Sequence, residues 1–274
     1  MNRTPFARRT QIINALVEGN SIRSTERMTN THRDTICRLL VEVGEGCAKI
    51  MDEKMRGLMC ARLEVDEIWS FVGKKQQRLV PGDDRNRLGD QWTFVALDPD
   101  TKLVPAYHVG KRTRPHAVAF MTDLSERLTN RVQLSSDALN TYVDAVERAF
   151  GDDVDYGQIV KFYEAEPVGP GRYSPPRVTH AQRMVIVGQP LNAHISTSLV
   201  ERNNLTMRMS MRRFTRLTNA FSKKVENLRA AVSLHFAHYN FVRLHKTLRT
   251  TPAMAAGVSD KLWTLEELVE QTSR

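Results

Sequence analysis

Residues 63–75 read LEVDEIWSFVGKK, an apolar and aromatic run broken by two adjacent acids, Asp66 and Glu67. The run has strand character, and side chains alternate across a strand. With Val65 toward the core, Asp66 projects to the opposite face and Glu67 turns back. Only one of the two then belongs to a given site, so losing Glu67 is expected to be much milder than losing Asp66. A second strand, VQLSSD, ends in Asp137 where the chain enters the loop before a helix, a position from which side chains reach a cleft. A third acid, Glu201, opens VERNNLTMRMSMRR near the start of a helix.

Three converging carboxylates repel one another unless cations lie between them. An Asp/Glu oxygen set without His or Cys suits Mg²⁺ or Mn²⁺. Two such ions about 3.5–4 Å apart activate an attacking oxygen and stabilise a leaving oxygen in phosphodiester displacement. Glu201, Leu205, Arg208 and Arg212 recur at spacings of four, three and four, one stripe of a helix. Arg213, Arg216, Lys223 and Lys224 extend this basic surface, and neutralising several phosphates makes affinity steeply salt dependent.

The whole 274-residue chain carries a formal charge of +9. Between Leu191 and Thr250, eleven Lys and Arg stand against Glu201 and Glu226, and 11 − 2 gives +9 for that segment alone. A polyanion is therefore the expected partner, although charge runs are more often solvated helix faces. Hydrophobic content of 41% fills a real core. Cys37, Cys47 and Cys60 are odd in number and lack CxxC spacing, which fits free thiols in a reducing cytoplasm and argues against a zinc ribbon. No apolar run approaches the roughly 18 residues of a membrane span. The expected location is cytoplasmic and nucleoid-associated, with no membrane.

Residues 8–43 form three short helical patterns, with stops at Gly19–Asn20 and a tight turn at Thr29–Asn30. Ser21 is placed to cap the second helix, and Thr31 the third with Asp34 three residues on. This predicts a helix-turn-helix over 1–44, whose last helix presents Thr31, His32, Arg33 and Thr35 to DNA. A helical connector is expected over 45–61. After it the period changes to two, with a hairpin turning at Asp98–Thr101 and helices alternating with strands. The fold class is α/β, a mixed sheet covered by helices. Residues 152–190, rich in Gly, Pro and Asp, read as a loop-rich insertion with short strands, and 258–274 as a C-terminal tail.

VDEIWSFVGKK, LSSDALNTY and SLVERNNLTMRMSMRRFTRLTNAFSKK with the following NLRAAVSLHFAHYNFVRLHKTL resemble the DDE transposases of bacterial insertion sequences, specifically the insertion-sequence-one family. The resemblance runs from Leu63 to about Gly257. It implies a ribonuclease H-like catalytic domain over 62–257, with Asp66, Asp137 and Glu201 as the catalytic, metal-binding acids. It also implies Arg208, seven positions after the glutamate, as a DNA contact. The family often carries an N-terminal zinc-binding cysteine cluster; this chain lacks one, so no zinc is expected. The interval from Asp137 to Glu201 is longer than the family's, which leaves Glu164 and Glu166 as rivals for the third acid.

The expected function is metal-dependent cleavage at mobile-element ends and strand transfer into target DNA. Double-stranded DNA, both terminal inverted repeats and target, is the partner, and two ends imply a dimer or larger. Two other classes remain open: an inactive DNA-binding regulator derived from a transposase, and a ribonuclease H-like nuclease that cuts without joining. Trp69 and Trp92 read as sheet-packing aromatics. Tyr142 and Tyr239 lack the Arg-His-Arg surroundings that activate a phenol, and His235, His238 and His245 read as packing or phosphate contacts. His194, seven before Glu201, is placed to approach the site.

Overall fold

The computed structural model describes residues 4–164, 177–216 and 218–272. Three helices open the chain: α1 (Phe6–Val17), α2 (Ile22–Thr29) and α3 (Arg33–Lys54). Ser21 caps α2 as expected, its Oγ accepting the Ser24 N–H at 3.0 Å. Asn30 makes the tight turn in the left-handed region at φ 48°. Thr31 does not cap α3. Its hydroxyl donates back to the Thr29 carbonyl at 3.1 Å, and His32 Nδ1 accepts the Asp34 N–H instead, at 3.3 Å.

Helix α3 passes through residue 44 unbroken, so residues 45–54 of the expected connector are its last turns. The two glycines of this stretch, Gly44 and Gly46, serve close packing. A Cβ at Gly44 would lie 2.4 Å from the Ala230 carbonyl oxygen, and one at Gly46 would lie 2.6 Å from Thr272 Cβ. Gly44→Ala must therefore push α3 off its partner helix. The expected cost is about 1–3 kcal/mol, read as a lower thermal midpoint; an unchanged midpoint would show that this contact is looser than its geometry.

The sheet comprises β1 (Arg62–Val72), β2 (Gly89–Leu97), β3 (Tyr107–Gly110), β4 (Val132–Asp137), β5 (Val154–Glu164) and β6 (Arg177–Val187). Their spatial order is β3-β2-β1-β4-β5-β6. β1, β2 and β3 pair antiparallel, β4 joins β1 parallel, β5 joins β4 parallel, and β6 returns antiparallel. This is a ribonuclease H-like sheet. The hairpin turn holds at Asp98, whose Oδ1 accepts the Asp100 N–H at 2.8 Å.

The described parts of the expected 152–190 insertion, residues 154–164 and 177–187, belong to the sheet. They supply β5, the central sheet's next parallel strand, and β6 beside it. The Gly- and Pro-rich PVGPGRYSPP stretch, which drew the loop reading, lies with Glu166 outside the described residues.

Helices α4 (Arg114–Ser125) and α5 (Asn140–Phe150) cover one sheet face, where Phe94 meets Phe120 and Tyr142 at ring separations of 5.7 and 6.3 Å. Helix α6 (Ser198–Ser210) lies on the other face. Its first turn is held by the buried Glu64 carboxylate, which accepts the N–H groups of Leu199 and Val200 at 2.8 and 3.0 Å. Helix α7 (Val225–Ala237) packs along α3 and runs into a π-helical turn over His238–Val242. After α8 (Pro252–Ala255), the presumed tail folds back: Trp263 stacks on Phe241 at 4.8 Å, and Leu268 and Val269 of α9 (Leu265–Gln271) are buried. One apolar core extends from Ile12 to Val269. Among the described residues no helix is long and apolar enough to cross a membrane.

Candidate active site

The parallel register of β1 and β4 pairs Arg62 with Gln133, Leu63 with Leu134 and Glu64 with Ser135. Carried two residues further, it sets Asp66 beside Asp137, just past the point where pairing ends. The strands part there, and carboxylates from both edges of the gap meet. One oxygen each of Asp66, Glu67 and Asp137 lies within 4.8 Å of the others, the arrangement among the described residues that could hold a metal ion.

Strand parity is obeyed, but it does not remove Glu67 from the site. Asp66 leaves toward α6, where its Oδ2 accepts the Asn204 amide N–H at 2.8 Å. Glu67 leaves toward α5, where its Oε2 accepts the Tyr142 hydroxyl at 2.9 Å and its Oε1 lies 2.5 Å from the Arg112 guanidinium. Glutamate's extra methylene lets its carboxylate reach round the open strand end. The expectation that Glu67 stands apart is therefore corrected. Arg112 in turn lies over the Trp92 ring, 4.8 Å from its centroid, which keeps Trp92 a packing aromatic as read.

Burial raises the Asp66 carboxyl to about 7, with the charges of Glu67, Asp137 and Glu201 adding to it. Burial likewise raises Glu67, helped by Asp137 and opposed by Arg112 and Tyr142. Glu64 is raised by burial, with the α6 N–H bonds pulling the other way. Metal-free, the site holds more acid than it can comfortably ionise.

Glu201 sits in the first turn of α6 and is exposed. Its Oε1 accepts from Lys161 Nζ of β5, and from Thr197 Oγ1 at 2.5 Å. It is close enough for its charge to act on Asp66, yet it stands outside the tight trio. Glu164 is exposed at the far end of β5, paired across to Arg177. The side chain of His194 is exposed, and its backbone carbonyl accepts the Ser135 hydroxyl at 3.4 Å.

The oxygen-only donor set fits a hard divalent cation such as Mg²⁺ or Mn²⁺. Two of the four orphaned atoms on α6 fit too. Asn204 Oδ1 and Arg208 Nη1 are buried without a partner, one an acceptor and the other a donor. Burial lowers the Arg208 pKa, partly offset by attraction to Asp66.

The predicted basic stripe is only partly continuous. Helix α6 ends at Ser210, Met211 is extended, and Arg212 falls in the following 3-10 turn, so it leaves the line of Glu201 and Arg208. Arg213 is half-buried and donates to Ser222 Oγ at 2.8 Å, which commits part of its guanidinium to packing. Arg212, Arg216, Lys223 and Lys224 are exposed. His32 and Arg33 are exposed at the start of α3, while Thr31 and Thr35 are half-buried and bonded locally, Thr35 Oγ1 to Arg38 at 3.3 Å. A cleft of about 760 Å³ brings Arg33 together with Arg212, Arg213 and Lys223. Residues that are distant in sequence thus face one basic cleft.

Tyr142 is fully buried with its hydroxyl on Glu67, which removes it as a nucleophile. Cys37, Cys47 and Cys60 are free thiols. Sequence reading missed Asn204, Lys161 and Arg112. Asn204 had a visible signal, since it lies three residues after Glu201 on the same helix face. Lys161 and Arg112 had none, because only tertiary packing sets them against acids.

No protein-family model and no curated protein matches the chain. Among solved structures, a piggyBac transposase synaptic complex with hairpin DNA is similar at TM-score 0.46 and 12% identity, covering 99% of this chain and 71% of that one. A Mos1 strand transfer complex is similar at TM-score 0.26 and 12% identity, covering 86% and 78%. A Mos1 transposase paired-end complex with the left transposon end gives TM-score 0.21 and 15% identity, covering 54% and 57%. The structural neighbours are thus transposases. With TM-scores below 0.5 these are partial likenesses of fold, and the functional reading rests on the site instead.

Proposed function

We propose that the chain is a DNA transposase of the bacterial insertion-sequence DDE type, resembling the insertion-sequence-one family, which cleaves element ends and joins them to target DNA. The observation that carries this is the meeting of Asp66 and Asp137 at adjoining strand ends, with Glu201 on the covering helix close enough to act on Asp66. In this reading Asp66, Asp137 and Glu201 hold one or two Mg²⁺ or Mn²⁺ ions. Such ions, when bound, supply charge to activate the attacking oxygen and to stabilise the leaving one.

The remaining roles belong to the chain's own residues. Water attacks the phosphorus that joins the element's last nucleotide to the flank, the bond from that phosphorus to the element's own 3′-oxygen breaks, and the element is left with a free 3′-hydroxyl while the flank keeps a 5′-phosphate. That hydroxyl then attacks a target phosphodiester, displacing the target's own 3′-oxygen, so one bond forms for each that breaks. Arg208, whose buried Nη1 lacks a partner, donates to a backbone phosphate. Arg212, Arg216, Lys223 and Lys224 hold the strand farther out. Residues 1–44 read the terminal repeat with His32 and Arg33, and 62–257 carry the chemistry. Two ends imply a dimer or larger, working in the cytoplasm at the nucleoid.

The test is incubation of labelled DNA from the flanks of the coding sequence with protein and Mg²⁺. Joined products support the proposal. Cut but unjoined DNA supports a nuclease, and shifted, intact DNA supports a binding regulator.

A further inference from the structure

Helix α6 carries four unmatched buried atoms, two on Asn203 and one each on Asn204 and Arg208, and the latter two residues lie along the face that meets Asp66. Asn204 is 6% exposed, its Nδ2 is committed to Asp66 Oδ2 at 2.8 Å, and its Oδ1 has no donor. A buried amide oxygen left without a partner costs about 1–3 kcal/mol, so an amide that only steadied Asp66 would leave a standing penalty. The bond to Asp66 also fixes the amide plane. Oδ1 is therefore held within reach of whatever binds that carboxylate. Four residues further along the same face, Arg208 Nη1 is a donor with no acceptor. The two orphans have opposite polarity: one needs positive charge or a donor, the other an anion. A cation carrying a phosphate oxygen satisfies both at once.

We propose that Asn204 is a neutral oxygen ligand of the cation held by Asp66, with Nδ2 orienting the carboxylate and Oδ1 coordinating. A neutral ligand suits this place. One oxygen each of Asp66, Glu67 and Asp137 already lies within 4.8 Å of the others, so an amide oxygen adds a ligand without adding negative charge. The inference rests on the metal site of the proposed function, and the experiment separates the two.

Asn204→Cys replaces the hard oxygen by a soft thiolate, which selects Cd²⁺. Titration with Cd²⁺ is expected to produce a sulfur-to-metal charge-transfer absorption that the parent protein, with its own three thiols, does not show. The band is expected to vanish in Asp66→Asn/Asn204→Cys. In parallel, Mn²⁺ titrated into Asn204→Ala and followed by electron paramagnetic resonance is expected to bind about 10–100-fold more weakly than in the parent. No charge-transfer band in a folded Asn204→Cys, with Mn²⁺ still bound by the parent, overturns the ligand role and leaves the metal site standing. If Asn204→Cys does not fold, Mn²⁺ affinity of Asn204→Ala equal to the parent's overturns it. A parent that binds no Mn²⁺ overturns both this inference and the metal site.

Discussion

Asp66→Asn is expected to abolish the proposed Mg²⁺-dependent cleavage and joining, by about a thousandfold or more, while raising the thermal midpoint of the metal-free protein at pH 8. The two effects have one cause. Burial and three neighbouring acids lift the folded-state carboxyl to about 7, above the value of about 3.9 expected in the unfolded chain. The folded protein then holds this proton more tightly than the unfolded one. Stability is fully present below pH of about 4 and is lost as pH rises toward 7, so at pH 8 the whole penalty is felt. Discounted for the partial exposure of the group, that penalty is about 1–2 kcal/mol, or about 2–5 °C, which the neutral isostere removes. Saturating Mg²⁺ should reverse the order, because only the wild-type protein gains from binding. Calorimetry at pH 5 and pH 8, with and without Mg²⁺, reads all three. An Asp66→Asn protein that melts below wild type at pH 8 without metal would sink this account of the site.

The neighbouring acid behaves in the opposite way. Glu67→Ala strips the partner from a fully buried Tyr142 hydroxyl and from the Arg112 guanidinium. The orphaned hydroxyl and the lost ion pair together cost about 2–4 kcal/mol. Glu67→Gln keeps an acceptor for Tyr142, so its midpoint stays near wild type, yet it removes a charge within 4.8 Å of Asp66 and Asp137. Its Mg²⁺-dependent cleavage should fall about 10–100-fold. Chemical denaturation of both variants, with cleavage measured on the folded Gln protein, checks the split. Wild-type stability for Glu67→Ala would restore the sequence-based view that this acid is incidental.

Asp66 and Glu67 show where sequence reading stops. Period-two alternation correctly assigned them to opposite faces. Alternation carries no information on where neighbouring strands separate. Beyond Glu64 and Ser135 they do, and a side chain from the far face reaches into the gap. The pairing of Lys161 with Glu201 was equally invisible, because it depends on a partner 40 residues away in sequence.

By itself the sequence determined the alternation of helices and strands, the Ser21 cap, the turns at Asn30 and Asp98, and the placing of Asp66 and Asp137 on separate strands. Those are local matters of backbone preference and side-chain period. Only the tertiary structure decided that residues 154–164 and 177–187 complete the sheet, that α3 runs on past residue 44, and that Glu67 and Asn204 join the acids. Each depends on which surfaces pack together and how closely, and that is set by contacts among residues far apart in the chain.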